Sequence, residues 1–433
     1  MASHQPFAGR MVAGYLGSLA LRRKLAGLAQ KLSSGKPRLE FYWRADDAYS
    51  HVVAQLVARL VDTYPLDLEL NIVPAAAAEV DPEPQLRAAH AVRDAQALAR
   101  FYDLSFPEHP ITPTPDRVRR ANAIALAARP PREHLDVLLQ VGEALFGHGG
   151  DAVSELARRL GAVEGTVVTS SLDLSHATLI ERGHYQSATL RYGGEWYEGP
   201  HRVVTLEERL RADGLGDAPS VLTKRFPPAL PIEPQHAPFE FWFSFRSPYS
   251  YLAVEQVAPW VRGPLAGTGR FRFRPVLPMV MRGLQVPTAK KMQLLKDAKR
   301  EADRLGIPFG RIADPVGAGA ERCMAVYTAV EPSGRGFDFA QQAARGIWSE
   351  GVDVATDAGL YLLAERAGIR ADEVDVALTQ LVPGLELAEY NNMALHDEAA
   401  LWGVPSFRVG SLTLWGQDRL PLVAHALGLP SQP

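Results

Sequence analysis

Two stretches of the sequence, 200 residues apart, share one pattern and constrain the fold more than any other feature. Glu40 to His51 reads EFYWRADDAYSH and Glu240 to Tyr251 reads EFWFSFRSPYSY, and the two align without a gap. In each, a run of aromatic, β-favouring residues leads directly into a residue that caps helices well, aspartate or serine. The pattern predicts that one strand-to-helix unit occurs twice in the chain.

The far ends of the two units also align. The segment 187–210 lies over the segment 404–427, with two glycines, one arginine and one leucine in register. Matching anchors at both ends predict a tandem duplication. Between the two units, 226–238 holds five prolines. We interpret it as a linker, because such a segment is stiff and extended.

These boundaries predict four segments. They are an N-terminal helical extension at 1–37, a first half at 38–212, the linker at 226–238, and a second half at 239–430. The apolar run in the extension is too short to span a bilayer and precedes its charges, so neither a transmembrane segment nor a signal peptide is expected.

The order of elements within each half predicts the fold. A β-run, a helix and a second β-run precede a long helical middle, roughly 84–180 or 286–400. Two short β-runs follow, joined by Gly193-Gly194 or by Gly410-Ser411, which is typical of a hairpin, and a last helix closes the half. The predicted fold class is α/β, with two tandem thioredoxin-like units that each have a βαβ–ββα core and an inserted helical domain.

Net charge and the number of cysteines and histidines limit which partners and which kinds of site the chain can have. The chain of 433 residues has a net charge of −3, so we expect no nucleic-acid partner. A single cysteine excludes an internal disulfide and a multi-cysteine metal site, which suits a cytoplasmic protein. The histidines do not fall at metal-binding spacings, and no metal is predicted.

Ser247 stands where the first strand of the second half meets its helix. Serine caps helices well, and the proline after it is favoured at the first helical position. Ser247 should therefore lie at the positive end of a helix dipole, which favours an anion. Ser247 and Ser250 occupy the positions of the two cysteines in thioredoxin-like redox sites, so dithiol chemistry is excluded. A plain helix cap and a site for an external thiolate both remain open.

Pro405 is the second feature of this junction. Gly403 to Phe407 reads GVPSF and precedes the closing hairpin, where thioredoxin-like folds place a cis-proline that faces the helix start. A cis X–Pro bond turns the backbone of the preceding residue toward the cleft, where it can pair with a peptide-like ligand. Ser247 and Pro405 together predict one site.

Four segments of the second half, FSFRSPYSYLA, FRPVLP, WGVPSF and LWGQDRL, together resemble 2-hydroxychromene-2-carboxylate isomerases and kappa-class glutathione transferases. Both belong to the DsbA-like thioredoxin superfamily. The resemblance covers about 238–430 well and about 38–212 weakly. It implies a glutathione-dependent isomerase or transferase whose bound thiolate adds to an aromatic or unsaturated substrate. The cofactor it implies is glutathione or another low-molecular-weight thiol.

The resemblance also implies roles for individual residues. Ser247 matches the serine that hydrogen-bonds the glutathione thiolate. Val404, before Pro405, matches the residue whose backbone pairs with the cysteinyl part of glutathione. Gln417 and Asp418 match the polar pair that holds the γ-glutamyl end.

Further contacts follow from the same resemblance. Gln285 stands where the family often has a ligand-binding asparagine, and Arg419 is expected to brace Asp418 or the helix. The substrate pocket would be lined by the helical insert and by four side chains that are equally typical of a core, namely Phe245, Tyr249, Met279 and Trp415.

The first half departs from the pattern at each key position. Asp47 replaces the serine, Ala188 the proline and His201 the aspartate. A carboxylate would repel a thiolate, and a cis bond without proline costs about 2.5–4 kcal/mol. We predict that the first half does not bind glutathione in the family's way and forms an internal pseudo-dimer with the second. For Asp47 itself, a plain helix cap is favoured.

Three functions remain in competition. The first is the glutathione-dependent enzyme, and the second is an enzyme of the same fold that uses another small thiol or only a bound substrate thioester. The third is a non-catalytic binding or assembly protein, which the degenerate first half favours and the retained Ser247, Val404 and Asp418 oppose.

Overall fold

A computed structural model describes most of the chain, namely residues 14–19, 21, 23–25, 27–28, 35–147, 149–222 and 237–429. Over these residues the protein is a mixed α/β structure with two four-stranded sheets. Most of the predicted linker and much of the N-terminal extension lie outside the described residues. Within the described parts, no helix has both the length and the apolar character needed to cross a membrane.

The first half contains four strands and seven helices among its described residues. In chain order they are β1 (Arg38–Trp43), α1 (Ala48–Thr63), β2 (Asp67–Ile72), α2 (Pro84–Phe101), α3 (Pro115–Ala125), α4 (Pro131–Gly147), α5 (Ala152–Leu160), α6 (Gly165–Glu181), β3 (Thr189–Tyr192), β4 (Glu195–Glu198) and α7 (Arg202–Ala212). The sheet order is β2-β1-β3-β4, in which β1 and β2 are parallel and the other pairs antiparallel.

The second half has the same order of strands around a longer helical middle. Its elements are β5 (Phe239–Phe243), α8 (Pro248–Arg262), β6 (Phe271–Pro275), α9 (Thr288–Leu305), α10 (Ala318–Val330), α11 (Gly336–Arg345), α12 (Asp357–Arg366), α13 (Ala371–Leu378), α14 (Leu381–Asp397), β7 (Ser406–Val409), β8 (Leu412–Trp415) and α15 (Leu420–Ala426). The sheet order β6-β5-β7-β8 repeats that of the first sheet, with β5 and β6 parallel. The α/β fold class with a helical insert in each half is confirmed.

The aromatic run of β5 forms the centre of the second sheet. Side chains alternate along a strand, so Phe239, Phe241 and Phe243 share one face. Phe241 is paired in register with Phe273 on one side and Phe407 on the other, with ring centroids 5.3 and 5.0 Å apart. Cross-strand aromatic contacts of this kind stabilise a sheet, and they hold the strand that leads to Ser247.

The opposite face of β5 carries a buried charge. Glu240 is fully buried and accepts hydrogen bonds from Arg274, at 2.8 Å from its Nε, and from Arg408. Both guanidinium groups also lie over the ring of Trp242, at 5.4 and 5.5 Å from its centroid. Burial alone raises the pKa of Glu240, but the hydrogen bonds from the two arginines outweigh it and hold that pKa below its ordinary value.

Both predicted hairpins are present. In the first half, Tyr192 pairs with Glu195 across a two-residue turn in which Gly193 and Gly194 have φ of 56° and 79°. In the second half Gly410 has φ of 55°. Glycine adopts this left-handed backbone without the steric cost that other residues pay, which is why the turns form at these positions.

The structure corrects the end of one predicted strand. The sequence predicts a β-run over Glu240–Phe245, but β5 ends at Phe243, because the chain turns there and the Ser247 amide donates to the Ser244 carbonyl at 3.0 Å. The described residues also divide into two compact units, and the start of α9, 287–293, groups with the first half rather than with the second. No feature of the sequence predicted that division.

Candidate functional site

Ser247 is the N-cap of α8, as the sequence predicted. Its backbone is extended, with φ of −104° and ψ of 116°, and Pro248 follows at the first helical position. The hydroxyl oxygen accepts a hydrogen bond from the Ser250 amide at 3.1 Å. The positive end of the helix dipole lies here, so this point favours a negatively charged group.

The peptide bond between Val404 and Pro405 is cis, as predicted. The Ser247 hydroxyl donates a hydrogen bond to the Val404 carbonyl, with 3.2 Å between the oxygens. The two ends of the second half therefore meet at this contact. The one proton of the hydroxyl is used on Val404, and a lone pair is used on the amide of Ser250.

The other serine of the junction has a different position. Ser250 is fully buried, and its hydroxyl oxygen accepts from the Ser244 amide at 3.3 Å. It fixes the turn between β5 and α8 and does not reach the surface. The one cysteine of the chain, Cys323, is fully buried in α10, and burial raises its pKa well above the ordinary range.

The polar residues after β8 are held by side chains of this half. Gln417 is buried, and its amide donates to Glu301 at 3.3 Å and accepts from Gln256 at 3.2 Å. Asp418 is less buried and forms an ion pair with Arg419, 3.0 Å between the charged atoms, so the predicted brace is confirmed. Of the predicted pair, Asp418 is the more accessible member.

The predicted pocket residues divide into two groups. The Phe245 ring is 1% exposed and packs between Phe243 and Phe339, with centroids 5.1 and 6.3 Å away, which places it in the core. Trp415 is partly exposed and packs against Trp402, with ring centroids 4.7 Å apart. Phe245 is buried because its ring extends the aromatic cluster of Phe243 and Phe339.

Met279 and Gln285 lie in the segment between β6 and α9. Met279 begins a short 3₁₀ turn, Met279–Arg282, and is partly exposed, whereas Gln285 is exposed three residues after that turn. Both residues therefore lie in the connection that follows β6. Their predicted roles in ligand binding stay predictions.

Tyr249 takes part in a contact that the sequence did not predict. Its hydroxyl donates to Asp297 of α9 at 2.6 Å, and in the first half Tyr49 donates to Asp94 at 2.7 Å. The tyrosines align in the repeat. The aspartates lie in the helical middle, where the two halves were not aligned, so the pairing was not visible in the sequence.

In the first half, a carboxylate fills the position of Ser247. Asp47 is the N-cap of α1 and accepts hydrogen bonds from the Tyr49 amide, the Ser50 hydroxyl and the Ser187 hydroxyl at 3.2, 3.1 and 2.7 Å. It is 2% exposed. Ala188, at the place of the proline, has φ of +54°. The predicted cap is confirmed, and the carboxylate is satisfied by the protein itself.

Comparison with known proteins identifies the second half. The model of the DSBA-like thioredoxin domain family matches residues 239–428, and this part of the chain is a DSBA-like thioredoxin domain. The predicted superfamily is therefore confirmed for the second half. The tandem duplication stays a prediction, because the match ends at the boundary of that half.

Solved structures with similarity to this chain include three enzymes or probable enzymes. The chain aligns with a 2-hydroxychromene-2-carboxylate isomerase at 22% identity and a TM-score of 0.36, over 44% of this chain and 94% of the other. A probable DsbA oxidoreductase from Streptomyces coelicolor aligns at 15% identity and a TM-score of 0.36, over 46% of this chain and 93% of the other. The cytosolic disulfide reductase DsbM from Pseudomonas aeruginosa aligns at 17% identity and a TM-score of 0.28, over 41% of this chain and 88% of the other. No curated protein sequence matches the chain.

Proposed function

We propose that the second half is a thiol-dependent enzyme that holds glutathione at Ser247 and acts as an isomerase or transferase on an aromatic or unsaturated substrate. The contact between the Ser247 hydroxyl and the Val404 carbonyl, at the start of α8, carries the proposal. It brings a hydroxyl donor, a helix N-terminus and the backbone beside a cis-proline to one point.

The chemistry requires a rearrangement of one proton. The Ser247 hydroxyl that now donates to Val404 would rotate and donate to the sulfur of the ligand. The Val404 carbonyl would then be free to accept from an amide of the ligand. A hydroxyl donor and the helix dipole both favour the thiolate over the thiol, so the pKa of the bound sulfhydryl falls.

The thiolate supplies the nucleophile. It forms a carbon–sulfur bond to the unsaturated carbon of the substrate, and the displaced electron pair moves to the conjugated carbonyl. In the isomerase, rotation about the former double bond is followed by loss of the thiolate, which regenerates the cofactor. In the transferase, the carbanion takes up a proton and the adduct is released. The protein contributes orientation and charge stabilisation.

Substitution of Ser247 tests this role. Ser247→Ala should raise the pKa of bound glutathione by about one to two units, because a hydrogen bond to a charged group contributes about 1.5–3 kcal/mol. Ser247→Thr should retain most of the effect. The measurement is the ultraviolet absorbance of the thiolate as a function of pH.

Thr356→Ala is the matched control. Thr356 caps α12 in the same way, accepting from the Gly359 amide at 3.2 Å, and it lies on a different helix. Its loss should lower stability by about 0.5–2 kcal/mol without moving the pKa of the thiol. If Ser247→Ala and Thr356→Ala both leave the pKa of the bound thiol unchanged, Ser247 acts only as a helix cap.

Two other results would redirect the assignment. Binding of a different small thiol, with glutathione inactive, would keep the mechanism and change the cofactor. Failure of every thiol to bind at millimolar concentration would favour a binding or assembly protein, a function that the self-satisfied Asp47 of the first half already suggests.

A further inference from the structure

Arg282 is a partly buried cation that has no anionic partner among the residues that the structure describes. It ends the turn after β6, and its guanidinium donates to the side-chain oxygen of Asn392 and, at 3.1 Å, to the backbone carbonyl of Trp402. Both acceptors are neutral. Its Nε is buried without a hydrogen-bond partner among the described residues. A guanidinium has five N–H donors, and two contacts leave most of them unused.

The surroundings confirm that the charge of Arg282 is uncompensated. No aspartate or glutamate of the described residues forms an ion pair with it, and burial lowers its pKa to about 10. Two arginines of the sheet itself differ, since Arg274 and Arg408 share the carboxylate of Glu240. A buried charge is normally paired, so an unpaired one marks a place where an anion would be stabilised.

Arg282 lies close to the candidate thiol site. Trp402, whose carbonyl it contacts, is two residues before Val404, the acceptor of the Ser247 hydroxyl. Consecutive Cα atoms are about 3.8 Å apart, so the Cα atoms of Trp402 and Val404 are within about 8 Å. An anion on Arg282 and a thiolate at Ser247 could therefore belong to one ligand or to two adjacent ones.

Two tryptophans flank this position. The rings of Trp402 and Trp415 are 4.7 Å apart, and Trp415 is partly exposed. A Cβ at Gly403 would lie 2.4 Å from the Trp415 ring, so the indole rests directly on the loop backbone. The combination of an unpaired guanidinium with an aromatic surface suits a small ligand that carries a carboxylate.

We propose that Arg282 binds a carboxylate group of a ligand at this site. The proposal deepens the function proposed above and rests on it for the neighbouring thiol. The carboxylate has two possible sources, the thiol cofactor or the aromatic substrate. Both present the same group to the guanidinium.

Calorimetric titration of the full-length protein with benzoate and with benzamide tests the site without any thiol. Benzoate should bind at least about tenfold more tightly than its neutral isostere, since a charge-assisted hydrogen bond is lost in benzamide. Arg282→Gln should abolish this preference, and Arg282→Lys should keep part of it. Arg272→Gln, which removes an exposed arginine on β6, should leave the preference unchanged.

A second titration, with benzoate added at saturating glutathione, distinguishes the two sources. Competition assigns the carboxylate to the thiol cofactor, and joint binding assigns it to the substrate. If glutathione itself does not bind, the proposed cofactor fails while the benzoate preference still stands. Equal binding of benzoate and benzamide by the unmodified protein, or a preference that survives in folded Arg282→Gln, overturns the carboxylate site.

Discussion

Glu240 is the buried carboxylate on which two arginines of the second sheet depend. Its removal would leave the largely buried Arg274 without a carboxylate and would leave Arg408 only the more exposed Glu398. Glu240→Ala should therefore lower the free energy of unfolding by about 3–5 kcal/mol. Glu389→Ala, an exposed glutamate on α14, should change it by less than about 0.5 kcal/mol. Urea denaturation at neutral pH measures both.

The lowered pKa of Glu240 also determines how its contribution to stability changes with pH. Because the carboxyl is more acidic in the folded state, its contribution is present above the unfolded pKa of about 4.3 and is lost as the pH falls toward the folded value. The difference between the unmodified protein and Glu240→Ala should shrink below pH 4. A difference that grows on acidification would contradict the ion-pair account.

The packing of α1 on α4 places a histidine in the core. His51 of α1 lies over Gly142 of α4, where a Cβ would come within 2.2 Å of the ring nitrogen Nδ1. The ring is also close to Phe106, with centroids 5.9 Å apart. Burial lowers the pKa of His51 to about 4 from 6.5. Gly142 makes the close approach of the two helices possible.

Because His51 is buried with a lowered pKa, we expect acid to lower the stability of the first half. Below pH 6.5 the unfolded chain takes up a proton that the folded chain does not, so stability falls until the pH reaches about 4. The full loss is about 3 kcal/mol. His51→Gln should flatten this slope in urea denaturation monitored between pH 7 and 4, and His176→Gln on α6 should not. An unchanged slope in His51→Gln would show that other groups set it.

Helices and strands were predictable where the signal is local. The aromatic runs, the caps and the two-residue turns identified β1, β5 and both hairpins. The end of β5 was missed because the turn at Ser244 depends on a hydrogen bond to the Ser250 hydroxyl, which no local pattern indicates. Local patterns describe backbone preference, and this contact is a tertiary one.

Burial and long-range pairing could not be predicted in the same way. Gln417 contacts Glu301, 116 residues away, and Arg282 contacts Trp402, 120 residues away. Both pairs are far apart in the sequence, so the periodicity of a helix or a strand could not reveal them. Phe245 followed the aromatic run and was assigned to a pocket, but the sequence holds no sign that the strand ends before it. The structure places it in the core.

At the scale of the whole molecule, the two halves share one strand order but differ at the key positions of the candidate site. In both sheets, the glutamate of the central strand is opposite an arginine, Glu40 with Arg191 and Glu240 with Arg408. We interpret this shared register as the trace of a duplication. The halves diverge at the helix start, where a self-satisfied carboxylate replaces a serine that contacts the cis-proline loop.

The central claim is that one half of the chain binds a thiol and the other does not. Calorimetric titration with glutathione tests it most directly, alongside Asp418→Ala, which removes the more accessible residue of the predicted γ-glutamyl site. We predict saturation near one site per chain and about a tenfold or greater loss of affinity in the variant. Two sites per chain would contradict the account of the first half, and no binding at millimolar glutathione would contradict the account of the second.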